Sequence, residues 1–149
     1  MEGVIFIGVQ GSGKSSFFKE RFFSTHVRIS LDLLKTRFRE QTILDACLRT
    51  EQRFVIDNTN PTRVERRKYI AAAKANRYEV IGFYFQSKVA DCLRRNSERA
   101  ESGRVPDVAI LSTAKKLELP TSDEGFDRLY YVRIDDQRFV VEEWHDQVR

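Results

Sequence analysis

The stretch Gly8-Val9-Gln10-Gly11-Ser12-Gly13-Lys14-Ser15 decides the fold of this chain. It follows the apolar residues 4–7 and precedes a helix-like segment, so a strand, a glycine-rich loop and a helix come in that order. Glycines allow the backbone to close around an anion, and the N–H groups that begin the helix point at it. The pattern G-x-x-x-x-G-K-[ST] in this context predicts a phosphate-binding loop.

The side chains of this loop suggest a nucleotide and a metal ion. We expect Lys14 to reach the β- and γ-phosphates of ATP or GTP, and the Ser15 hydroxyl to bind Mg²⁺. The nucleotide-binding residues predicted from the motif are Gly8, Gly11, Ser12, Gly13, Lys14, Ser15 and Ser16.

Length and composition limit the class of protein. The chain has 149 residues, a length that predicts one domain over residues 1–149. Its net charge of +4 permits a polyanionic partner. Cys47 and Cys92 stand alone in apolar helical patterns and are expected to be reduced core thiols. Neither a leader peptide nor a membrane-spanning run is recognisable, so we expect a cytoplasmic protein.

Short apolar runs alternate with helical patterns, which predicts an α/β fold of the P-loop type with about five parallel strands flanked by helices. Strands are expected near residues 4–7, 27–29, 54–56, 80–85 and 129–134. Helices are expected near residues 14–23, 32–39, 42–51, 61–76, 89–101 and 106–119. A turn at residues 135–137 leads into residues 139–142, a predicted antiparallel edge strand.

Two acidic residues follow predicted strands, where ligands of parallel sheets bind. Asp57 can hold the Mg²⁺ shell, or simply cap the turn into the next helix. Asp32 can cap a helix and accept a proton from an attacking hydroxyl. On a helix over residues 32–39, Asp32, Lys35 and Arg39 share one face, which suits a phosphate-bearing acceptor or a surface salt-bridge ladder.

The segment 58–61 reads as a helix start, with Asn60 as N-cap and Pro61 at the first helical position. Cations in the first turns oppose the helix dipole, so an anionic partner is expected, either a carboxylate or a substrate phosphate. The substrate-binding candidates predicted here and beside Asp32 are Lys35, Arg39, Asn58, Thr59, Arg63, Arg66 and Arg67.

Residues 94–106 combine a charged helix end, a glycine and a proline, a pattern typical of a lid. An arginine that a lid carries over the site stabilises the charge of a transferring phosphoryl group. Arg99 is the first catalytic candidate and Arg95 the second; an exposed arginine on an ordinary helix is the alternative.

The segments GVQGSGKSSF, VIDNTNP, RRNSER…RVP and ELPTSDEGF, together with Asp32, resemble the polynucleotide 5′-hydroxyl kinases. The chain is similar to both the phage enzyme and the kinase domain of the eukaryotic kinase-phosphatase. The resemblance implies an ATP-dependent kinase with a nucleic-acid 5′-hydroxyl acceptor and Asp32 as general base. It also implies that Lys14 and Ser15 serve the phosphates and Mg²⁺, Asp57 the metal or acceptor site, and Arg99 the lid charge. Residues 119–126 match the part of that family near the adenine pocket.

One position departs from the family. An Asn-Arg pair commonly precedes the base, whereas Ser30-Leu31 precede Asp32, and Lys35 is the expected substitute for the missing cation. A small-molecule kinase for sugars, nucleosides or antibiotics is therefore an alternative. A binding-only switch or ATPase is a further alternative, although the N-K-x-D and Leu-Ser-Gly-Gly signatures of its main versions are absent.

Overall fold

All six strands lie in one sheet in the computed structural model of the chain, which describes residues 1–146. The strands are β1 (Glu2–Ile7), β2 (Val27–Ile29), β3 (Phe54–Ile56), β4 (Glu79–Phe85), β5 (Arg128–Asp135) and β6 (Arg138–Glu143). Their order across the sheet is β2-β3-β1-β4-β5-β6. Strands β1 to β5 pair in parallel and β6 pairs antiparallel with β5. The predicted α/β fold and its antiparallel edge strand are confirmed.

The helices are α1 (Lys14–Arg21), α2 (Leu31–Leu34), α3 (Arg37–Thr50), α4 (Arg63–Ala75), α5 (Val89–Ser97) and α6 (Asp107–Lys116). The break between α2 and α3 falls at Lys35 and Thr36, several residues earlier than predicted. Lys35 ends α2 with φ of 75°, and the Thr36 hydroxyl caps α3 by accepting from Arg39 N. Asp32, Lys35 and Arg39 therefore do not share one helix face, which corrects the prediction.

Helix α4 also begins later than predicted. Its N-cap is Thr62, whose hydroxyl accepts from Glu65 N, rather than Asn60. Asn60 instead has φ of 45° and donates its side-chain amide to the Phe6 carbonyl at 2.7 Å. This buried hydrogen bond satisfies a strand carbonyl and ties the segment after β3 to the end of β1.

The sheet divides the core into two layers because successive side chains of β1 point to opposite faces. Val4 and Phe6 pack on the α1 face, and Ile5 and Ile7 pack on the face that α3 and α4 cover. Both cysteines are free thiols and buried, as expected. Among the described residues, no helix has the length and apolar character needed to span a bilayer.

Arg66 is part of the interior rather than of a ligand surface. Its side chain is fully buried and binds Glu124 through two bonds, Nε to Oε1 at 2.8 Å and Nη2 to Oε2 at 3.0 Å. The third nitrogen donates to the Asn60 carbonyl at 2.9 Å. The anionic partner expected at the start of α4 is thus a carboxylate of this chain.

Removing one partner of this ion pair should unfold the protein more easily. Arg66→Leu removes both close hydrogen bonds to the buried Glu124 carboxylate and leaves Arg63, 3.9 Å away, as its cation. We therefore expect the free energy of unfolding in urea to fall by about 3 kcal/mol. The control Arg67→Leu changes an exposed neighbour and should stay within about 0.5 kcal/mol of wild type. A similar small effect for both variants would contradict the structural role of Arg66.

Candidate functional site

The glycine-rich loop between β1 and α1 is held on three sides. Gly8 N donates to the Thr59 carbonyl and Val9 N to the Ser87 hydroxyl, each at 3.0 Å. Gly11 has φ of 83°, and a Cβ atom there would lie 2.6 Å from the Cys92 carbonyl of α5. The close approach of α5 therefore requires glycine at this point of the loop.

Lys14 lies inside the loop rather than outside it. Its side chain is buried, and Nζ donates to the carbonyls of Gly8 and Val9 at 2.9 and 3.0 Å. Burial lowers the pKa of Lys14 to about 8, against the opposing pull of the nearby Asp57 charge. A phosphate group in the loop would supply the anion that this ammonium group lacks.

The Ser15 hydroxyl and the Asp57 carboxylate lie next to each other at the carboxyl end of β3. Ser15 Oγ donates to Asp57 Oδ2 at 3.1 Å, and the Asp57 side chain is almost fully buried. A hydroxyl oxygen beside a carboxylate is a hard oxygen donor set of the kind that Mg²⁺ prefers. These two residues therefore fit the metal predicted from the sequence.

An unpredicted arginine completes this group. Arg28 Nε donates to Asp57 Oδ2 at 2.8 Å, and its Nη2 donates to Ser15 Oγ at 3.1 Å. The sequence signal was an arginine inside the short apolar strand β2, between Val27 and Ile29. Strand periodicity alone does not say which face it occupies at a sheet edge.

A cleft of about 410 Å³ opens over the loop. Its walls are the loop itself, α2, the segment after β3 and the segment after α5. Nine of the site residues predicted from the sequence line this cleft together: Gly11, Lys14, Ser15, Asp32, Lys35, Asp57, Asn58, Thr59 and Arg99. The structure thus brings the phosphate loop, both acids and the first lid candidate to one place.

A buried polar network holds α2, which carries Asp32, in this cleft. Asn58 accepts from Leu31 N at 2.9 Å and donates to Glu40 Oε2 at 2.7 Å. The buried Glu40 also accepts from the Tyr69 hydroxyl at 3.0 Å. Burial, reinforced by the Glu40 charge, raises the pKa of Tyr69, so this hydroxyl stays a donor. Sequence reasoning missed Glu40, whose signal is a lone acid at an otherwise apolar helix position.

Helix α5 is shorter than predicted, and the segment after it, the predicted lid, is held by its own hydrogen bonds. Helix α5 ends at Ser97, and the buried Asn96 exchanges two hydrogen bonds with Val105, N–H to Oδ1 at 3.0 Å and Nδ2 to O at 2.7 Å. These bonds close the loop that presents Arg99 to the cleft. Arg95 lies nearer the phosphate loop, where its Nη1 donates to the Gly11 carbonyl at 3.2 Å. Arg104 also lines the cleft and was not among the predicted site residues.

Four of the predicted substrate cations lie outside the cleft lining: Arg39, Arg63, Arg66 and Arg67. Arg63, the first residue of α4, donates to Thr121 and Asp123. Arg39 is exposed and donates to the Leu34 carbonyl at 3.2 Å. The segment 119–126 runs along α4 and delivers the chain to the start of β5. Its place near the adenine stays a prediction.

Comparison with known proteins identifies the family of this chain. The family described as AAA domain matches residues 4–120, which include the phosphate loop, Asp32, Asp57 and the predicted lid segment. The chain belongs to this family.

Two curated relatives of this AAA-domain chain carry the words bifunctional polynucleotide phosphatase/kinase in their names. The one from Acanthamoeba polyphaga mimivirus is 32% identical over 135 residues, or 86% of the chain, and the one from Schizosaccharomyces pombe is 29% identical over 129 residues, or 84%. The chain spans 32% of the length of each. The similarity to polynucleotide kinases suggested by the motifs is confirmed.

Solved structures share the fold at lower identity. Kti12 of Chaetomium thermophilum in complex with ADP-AlF3 superposes with a TM-score of 0.68 at 16% identity, over 90% of both chains. A gluconokinase from Sinorhizobium meliloti 1021 superposes with a TM-score of 0.64 at 17% identity, over 89% of this chain and 82% of its own. These matches support the P-loop kinase fold.

The lowered pKa of Lys14 predicts proton uptake when a nucleotide binds. Phosphate stabilises the ammonium form and raises its pKa, so ADP with Mg²⁺ should draw up to about half a proton at pH 8 and almost none at pH 6.5. Calorimetry in buffers of different ionisation enthalpy measures this number. Lys14→Arg stays charged at both pH values and should show little uptake. Equal uptake by the wild type at the two pH values would rule out Lys14 as its source.

Proposed function

We propose that this AAA-domain chain is an ATP-dependent phosphotransferase that phosphorylates the 5′-hydroxyl of a nucleic acid. The observation that carries the proposal is the position of Asp32. An exposed carboxylate lines the same cleft as the phosphate loop and the lid arginine, so a hydroxyl acceptor would meet its base beside the transferable phosphate.

The reaction assigns a task to each side chain. The acceptor oxygen forms a bond to the γ-phosphorus, the bond to the β-γ bridging oxygen breaks, ADP leaves, and the hydroxyl proton passes to Asp32. Lys14 binds the β- and γ-phosphates, and Arg99, with Arg95 behind it, balances the charge of the transferring group. Mg²⁺, held by Ser15 and Asp57, would neutralise phosphate charge.

A nucleic acid is the favoured acceptor because of the exposed residues that follow Lys35, which lines the cleft. Phe38 is 81% exposed at the start of α3, where folding does not require an aromatic side chain. Exposed cations flank it in the sequence at Lys35, Arg37 and Arg39. An aromatic ring among cations is the combination that binds a stacked base and its backbone phosphates. The names of the two curated relatives point the same way.

A small hydroxyl compound is the second candidate acceptor. Leu31 stands where the resembled family has an arginine, so the cleft has one cation fewer beside Asp32. A nucleotide-binding switch that transfers no phosphate is the third hypothesis. The three differ in which acceptor, if any, becomes phosphorylated.

The test of the proposed function is phosphate transfer from γ-labelled ATP to 5′-hydroxyl oligonucleotides, nucleosides and polyols in parallel. We expect labelled oligonucleotide with the wild type and a loss of about 10²-fold or more with Asp32→Asn, because an amide cannot accept the proton. ATP affinity of this variant should be retained. Efficient labelling of polyols instead would establish the small-molecule kinase, and ATP consumption without any labelled acceptor would establish the ATPase.

Phe38 provides a test of the acceptor class. Phe38→Ala should weaken oligonucleotide binding by about 1–3 kcal/mol if a base stacks on the ring. Binding measured by fluorescence anisotropy should also weaken steeply with salt, with a log–log slope of about −0.7 per phosphate contact. Phe23→Ala is the matched control, since Phe23 is 73% exposed just after α1. Equal effects of the two variants, or no salt dependence, would remove the polynucleotide acceptor.

A further inference from the structure

Arg28 occupies a position that the proposed chemistry does not explain. It donates to both residues assigned to Mg²⁺, at 2.8 Å to Asp57 Oδ2 and at 3.1 Å to Ser15 Oγ. Ser15 donates to the same Oδ2 atom, so both of these donors converge on one carboxylate oxygen. The guanidinium group therefore lies against the oxygens that a metal ion would need.

The backbone explains how Arg28 reaches this point. β2 is an edge strand, and Arg28 is in register with Val55 of β3, whose side chain is in the core on the α1 face. Arg28 thus lies on that same face, beside the helix that carries Ser15. Its side chain is 29% exposed whereas that of Asp57 is 2% exposed. The arginine has room to turn outward, and the carboxylate has not.

Arg28 and Mg²⁺ are both positively charged, so they compete for the Asp57 carboxylate. A buried carboxylate needs a counterion, and in this arrangement Arg28 supplies it. Mg²⁺ at the same oxygen would bring two further positive charges to within a few ångströms of the guanidinium group, and that repulsion is large at a partly buried site. Either Arg28 leaves Asp57 or the metal binds less tightly.

We propose that Arg28 competes with Mg²⁺ for Asp57 and thereby sets the metal requirement of nucleotide binding. Without metal, Arg28 shields the phosphates from the Asp57 charge; with metal, Arg28 must give up this contact. The proposal rests on the metal assignment of Ser15 and Asp57 in the proposed function, but it needs neither an acceptor nor turnover.

The experiment measures the affinity of a fluorescent ADP analogue in EDTA and at increasing Mg²⁺ concentration. Arg28→Met keeps the length of the stem and removes the charge. We expect it to weaken metal-free binding by about threefold and to lower the half-saturating Mg²⁺ concentration by about tenfold. Arg28→Lys keeps a charge but not the two-pronged contact, and should fall between. Arg49→Met, at an exposed arginine of α3, is the control for charge alone and should match wild type.

Asp57→Asn separates failure of this proposal from failure of the metal assignment. If Asp57 holds the metal, Asp57→Asn loses most of the gain in ADP-analogue affinity that Mg²⁺ gives. Adding Arg28→Met to this variant should then leave its Mg²⁺ dependence unchanged. An unaltered Mg²⁺ enhancement in Asp57→Asn would overturn the metal assignment itself. If Asp57→Asn responds as expected but Arg28→Met alters metal-free and metal-saturated affinity by one common factor, Arg28 only supports packing and the competition is refuted. Arg28→Lys serves the same comparison should Arg28→Met fail to fold.

Discussion

The closure of the loop around the Lys14 ammonium group is the constraint on which the rest of the site depends. Two carbonyls of the loop accept hydrogen bonds from this group at 2.9 and 3.0 Å, while burial lowers its pKa. The loop must therefore fold tightly, which demands positive φ at Gly11 and Gly13 and allows α5 to rest directly on it. A cation that is buried with only neutral partners is prepared for an anion.

Two buried polar networks place the other groups around that cation. Asn58 and Glu40 hold the segment that carries Asp32, and Asn96 with Val105 closes the loop that carries Arg99. Each network is satisfied by backbone or buried side-chain partners, so it fixes the position of the segment that carries the charged side chain. Hydrogen bonds within the protein thus fix the segments that carry the charged side chains of the cleft.

Much of this arrangement was predictable from the sequence. The order of apolar runs and helical patterns predicted the sheet with its antiparallel edge, and the loop motif predicted where the phosphate site begins. Asp32 and Asp57 were recognisable because each follows a strand, and the carboxyl ends of parallel strands meet at one edge. These signals are local: periodicity, spacing and motif depend on residues a few positions apart.

Tertiary structure decided what the cations do. The sequence suggested that Arg66 binds a ligand, but its partner in the structure is Glu124, 58 positions away. Arg28 was not predicted at all, because its partner Asp57 is 29 positions away. The break at Lys35 likewise depends on a single positive φ that a lysine adopts only in a particular environment. A charge in a sequence shows no partner, because the partner is chosen by packing; the sequence alone therefore determined the fold and the phosphate loop, and the structure decided which charges remain for a ligand.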